Sequence, residues 1–141
     1  MRRALLATAF LGLSAVFLPA TAHATPGHGI TAITVFDHVA GDTDYVFKEI
    51  TIEPGGATGW HYHPGPVLAW VKQGVLTHDK SDCTLDGVYR PGQFIQEQPG
   101  SGYVHIGRNL GSTPVVLEVL YEAPVGQPVA IDAPNPGCDF S

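Results

Sequence analysis

Gly55-Gly56-Ala57-Thr58-Gly59-Trp60-His61-Tyr62-His63 is the stretch on which the reading of this chain turns. Successive side chains of a β-strand alternate between its faces. On a strand, His61 and His63 therefore share one face, and Trp60 and Tyr62 share the other. Two imidazoles side by side are poised to chelate a cation, and imidazole suits zinc, iron, nickel and copper. An isolated His-x-His pair also serves as a pH-sensitive surface pair, so its meaning depends on its surroundings.

Outward from this stretch the chain reads as short β-runs divided by turns. The runs span Ile30 to Val39, Tyr45 to Glu53, Thr58 to His63, Val67 to Lys72, Val75 to His78, Val88 to Arg90, Phe94 to Glu97, Tyr103 to Asn109 and Val115 to Glu122. Gln73-Gly74 and Pro91-Gly92 are turn signals. Helical periodicity is absent, and 12 prolines with 17 glycines fit tight connections. Short strands at this spacing predict an all-β sandwich or barrel. Residues 25–29 read as a loose leader, and residues 123–141, rich in Pro, Ala and Gly, as an irregular tail over the barrel.

A third histidine arrives in Pro99-Gly100-Ser101-Gly102-Tyr103-Val104-His105, followed by Asn109. Gly55-x5-His61-x-His63, then Gly74, resembles the first cupin motif, G-x5-H-x-H-x3-E-x6-G. Gly102-x2-His105-x3-Asn109, with Gly92 and Pro99 upstream, resembles the second. The resemblance spans about residues 45–122. It implies a single-domain cupin jelly-roll β-barrel within residues 25–141, in which His61, His63 and His105 hold one divalent metal ion: iron, manganese, zinc, nickel or copper. Gly74 and Gly92 take the places of turn glycines, and Gly102 that of the glycine leading into the strand of His105. A homodimer built edge to edge is also implied.

Two departures stand out. The motif's glutamate falls on Val67, and the span from Gly92 to His105 is two residues longer than the pattern. Without that carboxylate, three neutral imidazoles leave a metal its full double charge, which favours a small anionic ligand and lowers the pKa of bound water. Glu97 is the candidate for a replacement ligand. Glu97, Tyr103 and Phe94 are candidates for the pocket mouth. The other course is a barrel that lost its metal along with its glutamate. His28, His38 and His78 lie outside the pattern and read as exposed. Trp60, Tyr62 and Trp70 read as packing residues, and Glu118 and Glu122 as the solvated side of a strand.

The N-terminus reads as an export signal. Arg2 and Arg3 precede an apolar run from Ala4 to about Pro19, and Ala22-His23-Ala24 has the small residues of a cleavage site. The run is shorter than the roughly 20 residues of a spanning helix. Cleavage after Ala24 leaves residues 25–141, secreted or periplasmic, with no membrane association expected. It also removes two of the seven Lys and Arg. The remaining five face 13 Asp and Glu, for a net charge of −8, which argues against nucleic acid as a partner. In an oxidising compartment Cys83 and Cys138 favour a bridge.

The function these readings support is an exported metal-binding cupin. Its chemistry would be that of a three-histidine dioxygenase or related oxidoreductase acting on a small molecule. A non-catalytic extracytoplasmic module binding a small molecule or metal is the alternative, and a zinc-hydroxide hydrolase or isomerase stands behind both.

Overall fold

The computed structural model describes residues 24–141, so the expected export segment lies, Ala24 apart, outside the described residues. The described chain is all-β. Its strands are β1 (His28–Ala40), β2 (Thr43–Ala57), β3 (His61–Tyr62), β4 (Val67–Gln73), β5 (Leu76–Lys80), β6 (Leu85–Tyr89), β7 (Phe94–Glu97), β8 (His105–Arg108), β9 (Val115–Pro124) and β10 (Ile131–Asp132).

All the pairings are antiparallel, and they make two walls of a barrel. One wall runs β1-β2-β9-β4-β7 and the other β6-β5-β8-β3-β10. The long strand β2 joins them. It pairs with β9 from Thr43 to Ile52, and its last residue, Ala57, pairs with Arg108 of β8. Antiparallel strands folded into a nearly closed barrel are the jelly-roll architecture that the resemblance implied.

The interior follows from alternation. Along β9, Val115, Leu117, Val119, Tyr121 and Ala123 point inward, and along β4, Val67, Ala69 and Val71 do so. All of these but Ala123 form the main core together with Val46, Ile52, Leu76 and Ile95. Each Val, Ile or Leu buried there contributes about 1.5–3 kcal/mol. The opposite positions of the same strands, Leu68, Trp70 and Leu120, lie on the outer face with Phe36, Phe47 and Phe94. There they line an apolar groove of about 340 Å³ that also includes Glu118.

Three sequence expectations change. The run from Thr58 to His63 is not one strand, because Gly59 adopts φ 73° and breaks it. A Cβ at Gly59 would lie 2.1 Å from the Thr25 carbonyl, so only glycine permits this approach. Residues 25–29 are accordingly not loose: Thr25 N–H donates to the Ala133 carbonyl (3.0 Å), and β1 begins at His28. The expected run from Ile30 to Val39 is present as the edge strand β1. Finally, the tail is partly regular. β10 pairs with β3, setting Ile131 against Tyr62 and Asp132 against His61, and Ala133 N–H donates to the Trp60 carbonyl (2.8 Å).

The rest of the tail covers the outside of the second wall. Trp60, fully buried, packs with Ala57, Ile106 and Ala133, and partly buried Val104, Cys138 and Phe140 close this second cluster. Phe140 stacks on Trp60 with centroids 5.8 Å apart, and the Arg108 guanidinium lies 3.8 Å over its ring. The expected Cys83–Cys138 bridge is present, with Cα atoms 5.5 Å apart across 55 residues of sequence.

Asn109, the last residue of the second motif, is structural. Fully buried, it donates from Nδ2 to the carbonyls of Ile52 (2.9 Å) and Thr113 (2.8 Å), and its Oδ1 accepts from Gly111 N–H (3.0 Å). It fastens β2 where that strand passes from one wall to the other. Asn109→Ala should lower stability by at least about 2 kcal/mol, because buried polar groups lose their partners; the urea midpoint measures it. The Cys83→Ser/Cys138→Ser variant should lose about 4 kcal/mol on loop-closure grounds, read from the same unfolding curves with and without reductant.

Candidate metal centre

His61, His63 and His105 come together between the walls. β3 and β8 pair with His61 directly opposite His105, which places those ring centroids 4.4 Å apart. The centroid separations are 4.8 Å for His61 and His63 and 5.2 Å for His63 and His105. One ring nitrogen from each lies within 4.8 Å of the other two. His63 and His105 are buried, while His61 retains some exposure as a residue although its ring belongs to the interior group. Trp60 faces the other way, into the tail-covered cluster.

Backbone carbonyls fix the orientation of all three rings. Nδ1–H of His61 donates to Gly59 (2.9 Å), that of His63 to Val129 (2.6 Å) and that of His105 to Tyr103 (2.9 Å). A carbonyl can only accept, so each Nδ1 carries a proton and each Nε2 is turned toward the interior. This is the outer-shell arrangement typical of histidines that ligate metals. The His63 backbone is also held, its carbonyl accepting from Gly100 N–H (2.8 Å). Gly100, at φ 99°, opens the turn before β8, its carbonyl accepting from Tyr103 N–H (3.1 Å), and Gly102 lies within that turn.

Two further ionisable residues lie at the centre. Glu97, buried on β7, places Oε2 3.0 Å from His63 Nε2 and 3.5 Å from His105 Nε2, and Oε1 3.3 Å from His78 Nε2. His78, expected to be exposed, is only 1% exposed. It shares the inward parity of Leu76 on β5, and that apolar neighbour two residues back was the available signal. His78 Nδ1–H donates to Asp86 Oδ2 (3.0 Å), which also accepts from the Tyr103 hydroxyl (2.9 Å). The result is a continuous array, Tyr103–Asp86–His78–Glu97, ending at the three-histidine cluster. His78, Glu97 and His105 form a second triad with metal-binding spacing.

Electrostatics agree with this arrangement. Burial alone would raise the Glu97 carboxyl, but His105, His63 and His78 outweigh it and hold the group well below the usual carboxylate range. Burial also opposes charge on His78, and Glu97 and Asp86 overcome it to raise that imidazole. His61 is pushed down to about 3, first by burial and then by the neighbouring His105 and His63. Tyr121, its ring centroid 5.5 Å from that of His63, is raised by burial and is a neutral wall of the site. The expectation of a metal facing no carboxylate therefore needs correction, because an ionised Glu97 stands beside two of the three histidines.

The residues fit a cation. His78 Nε2 and His105 Nε2 are buried without a hydrogen-bond partner, although both face Glu97. Orphaned buried nitrogens that converge with a carboxylate are costly unless a positive charge lies among them.

Of the pocket candidates, Glu97 is at the centre and Tyr103 lies beside it, its ring centroid 5.0 Å from that of His105. Phe94 is not part of the site. It sits three positions from Glu97 on the same strand, so it points outward, stacks on Trp70 (5.9 Å) and lines the outer groove. His28 and His38 are exposed, as expected.

A profile of the Cupin domain family matches residues 48–121. No curated protein sequence matches the chain. Among solved structures, the polyketide cyclase RemF from Streptomyces resistomycificus is similar with a TM-score of 0.62 at 20% identity, over 79% of each chain. A cupin-like protein from Thermotoga maritima gives 0.60 at 17%, over 75% of each chain. A recombinant oxalate oxidase in complex with glycolate gives 0.58 at 20%, over 73% of this chain and 54% of the oxidase. At such identities the likeness is one of fold.

In metal-free protein the His61 ring should stay neutral far below the ordinary histidine value of 6.5, with its midpoint near 3. An NMR titration of imidazole carbon shifts measures this, and a midpoint at 6.5 would place the ring in solvent instead.

Proposed function

The chain belongs to the cupin family, and on that footing we propose that it is an exported metal-binding cupin whose His61, His63 and His105 hold one divalent ion. The observation that carries this reading is the shared ring orientation. Every Nδ1 proton is committed to a carbonyl, and every Nε2 is left for the interior. The Cys83–Cys138 bridge supports export, since such bridges persist in oxidising compartments.

The activity we assign is metal-dependent oxidation of a small molecule. A bound iron ion would supply redox chemistry at the three imidazoles. The protein's own residues orient the ligand set through backbone carbonyls and wall off the interior with Tyr121. That neighbours of this fold include an oxalate oxidase and a polyketide cyclase means that reaction class must be argued from the site. One observation favours a second reading, a non-catalytic metal or small-molecule module: Glu97 already occupies space beside His63 and His105 where a substrate would approach.

Elemental analysis of protein purified without chelator should find about one metal per chain, and none in a His61→Ala/His105→Ala variant. Absence of metal in the parent protein, even after reconstitution with excess ferrous or zinc ion, would remove the metalloprotein reading. Oxygen consumption by the ferrous-loaded protein separates enzyme from module.

A further inference from the structure

Val67 and Glu97 are register partners on β4 and β7. Both are buried, and both point into the barrel. Residues directly opposite each other in an antiparallel pair have Cβ atoms roughly 4.5–5.5 Å apart. A carboxylate on either residue therefore starts from nearly the same place above the histidine cluster. On this chain the carboxylate is on β7.

Where its oxygens go is specific. Oε2 faces His63 Nε2 at 3.0 Å and His105 Nε2 at 3.5 Å. Those two rings have given their Nδ1 protons to Val129 and Tyr103. The Nε2 atoms of both rings and Oε2 of Glu97 therefore converge on one buried space, on the side of each ring that those bonds leave free. A cation seated there would be met by all three atoms. Oε1 points away toward His78, which Asp86 holds in place.

We propose that Glu97 is the fourth protein ligand of the metal, presented through Oε2 from the strand beside the one that carries Val67, with His78 and Asp86 as positioning residues that aim it. This rests on the three-histidine reading above and extends it. The consequence for the ion is a neutralised unit of charge: three imidazoles and one carboxylate leave a divalent centre with net charge +1.

The test is a titration of the metal-free, disulfide-bonded protein with cobalt(II) alone, following visible absorption and measuring affinity by competition with a chelator. The parent protein should bind one cobalt per chain. Glu97→Gln, which keeps shape and removes charge, should weaken binding by about 100-fold or more and alter the absorption bands. Outer-shell losses run about 10–100-fold, so His78→Gln should fall in that range with the bands in place. The exchange variant Val67→Glu/Glu97→Val should bind within about tenfold of the parent if the two strand positions are equivalent. Circular dichroism and melting confirm that each variant folds, and the exchange variant carries the test should Glu97→Gln not fold. A folded Glu97→Gln that binds cobalt like the parent, with the same spectrum, overturns the proposal and leaves the three-histidine site standing. A parent protein that binds no cobalt overturns both.

Discussion

The hydrogen bond from His63 Nδ1 to the Val129 carbonyl, 2.6 Å long, joins the two halves of this molecule's organisation. One partner belongs to the paired histidines and the other to the tail, 66 residues later. Through it the inner chemistry depends on the outer wrapping. The same tail pairs β10 with the His61–Tyr62 strand, bonds to Trp60 through Ala133, and lays Phe140 over the buried indole. The disulfide holds that assembly to the β5–β6 turn. What looks at first like an irregular C-terminus is the frame that fixes two of the three candidate ligands.

The interior of the barrel is a study in charge compensation. Three imidazoles, a fourth in His78 and a carboxylate in Glu97 share a space from which water is largely excluded. Burial disfavours the charged form of each. The protein resolves this by arranging hydrogen bonds outward, to carbonyls and to Asp86, and by leaving the inward atoms to one another. A metal ion at the centre would satisfy all of them at once. The apolar core of Val, Ile and Leu below the site gives the scaffold its stability, and the polar cluster above it sets its chemistry.

Much of this was legible from residue types and spacing. His61, His63 and His105 were recoverable because a strand's two-residue period places them on one face and the family's spacing unites them. The all-β class followed from turn signals, and the disulfide from an even cysteine count. Other features were not, for physical reasons. Glu97 was named as a candidate replacement ligand, but its place beside His63 and His105 depends on β7 pairing with β4, a long-range register that no local pattern encodes. His78 carried a usable signal in its parity with Leu76, but a histidine with no motif around it reads as surface. Phe94 was assigned to the pocket on size and apolarity, whereas its direction depends on parity with Glu97. The tail strand is two residues long, too short for periodicity to register, and its pairing is dictated by the exposed edge of β3.

The placement of β10 also bears on the order in which this protein is completed. It is the last of the described strands to leave a ribosome. Before it emerges, the nascent chain already carries His61, His63, His78, Glu97 and His105, but the carbonyl of Val129 and the edge partner of His61 do not yet exist. His61 and His105 have their carbonyl partners close by in sequence, in Gly59 and Tyr103, whereas the His63 ring waits for the tail. The orientation of His63 is thus the last feature of the histidine cluster to be set, and it is set from outside the cluster.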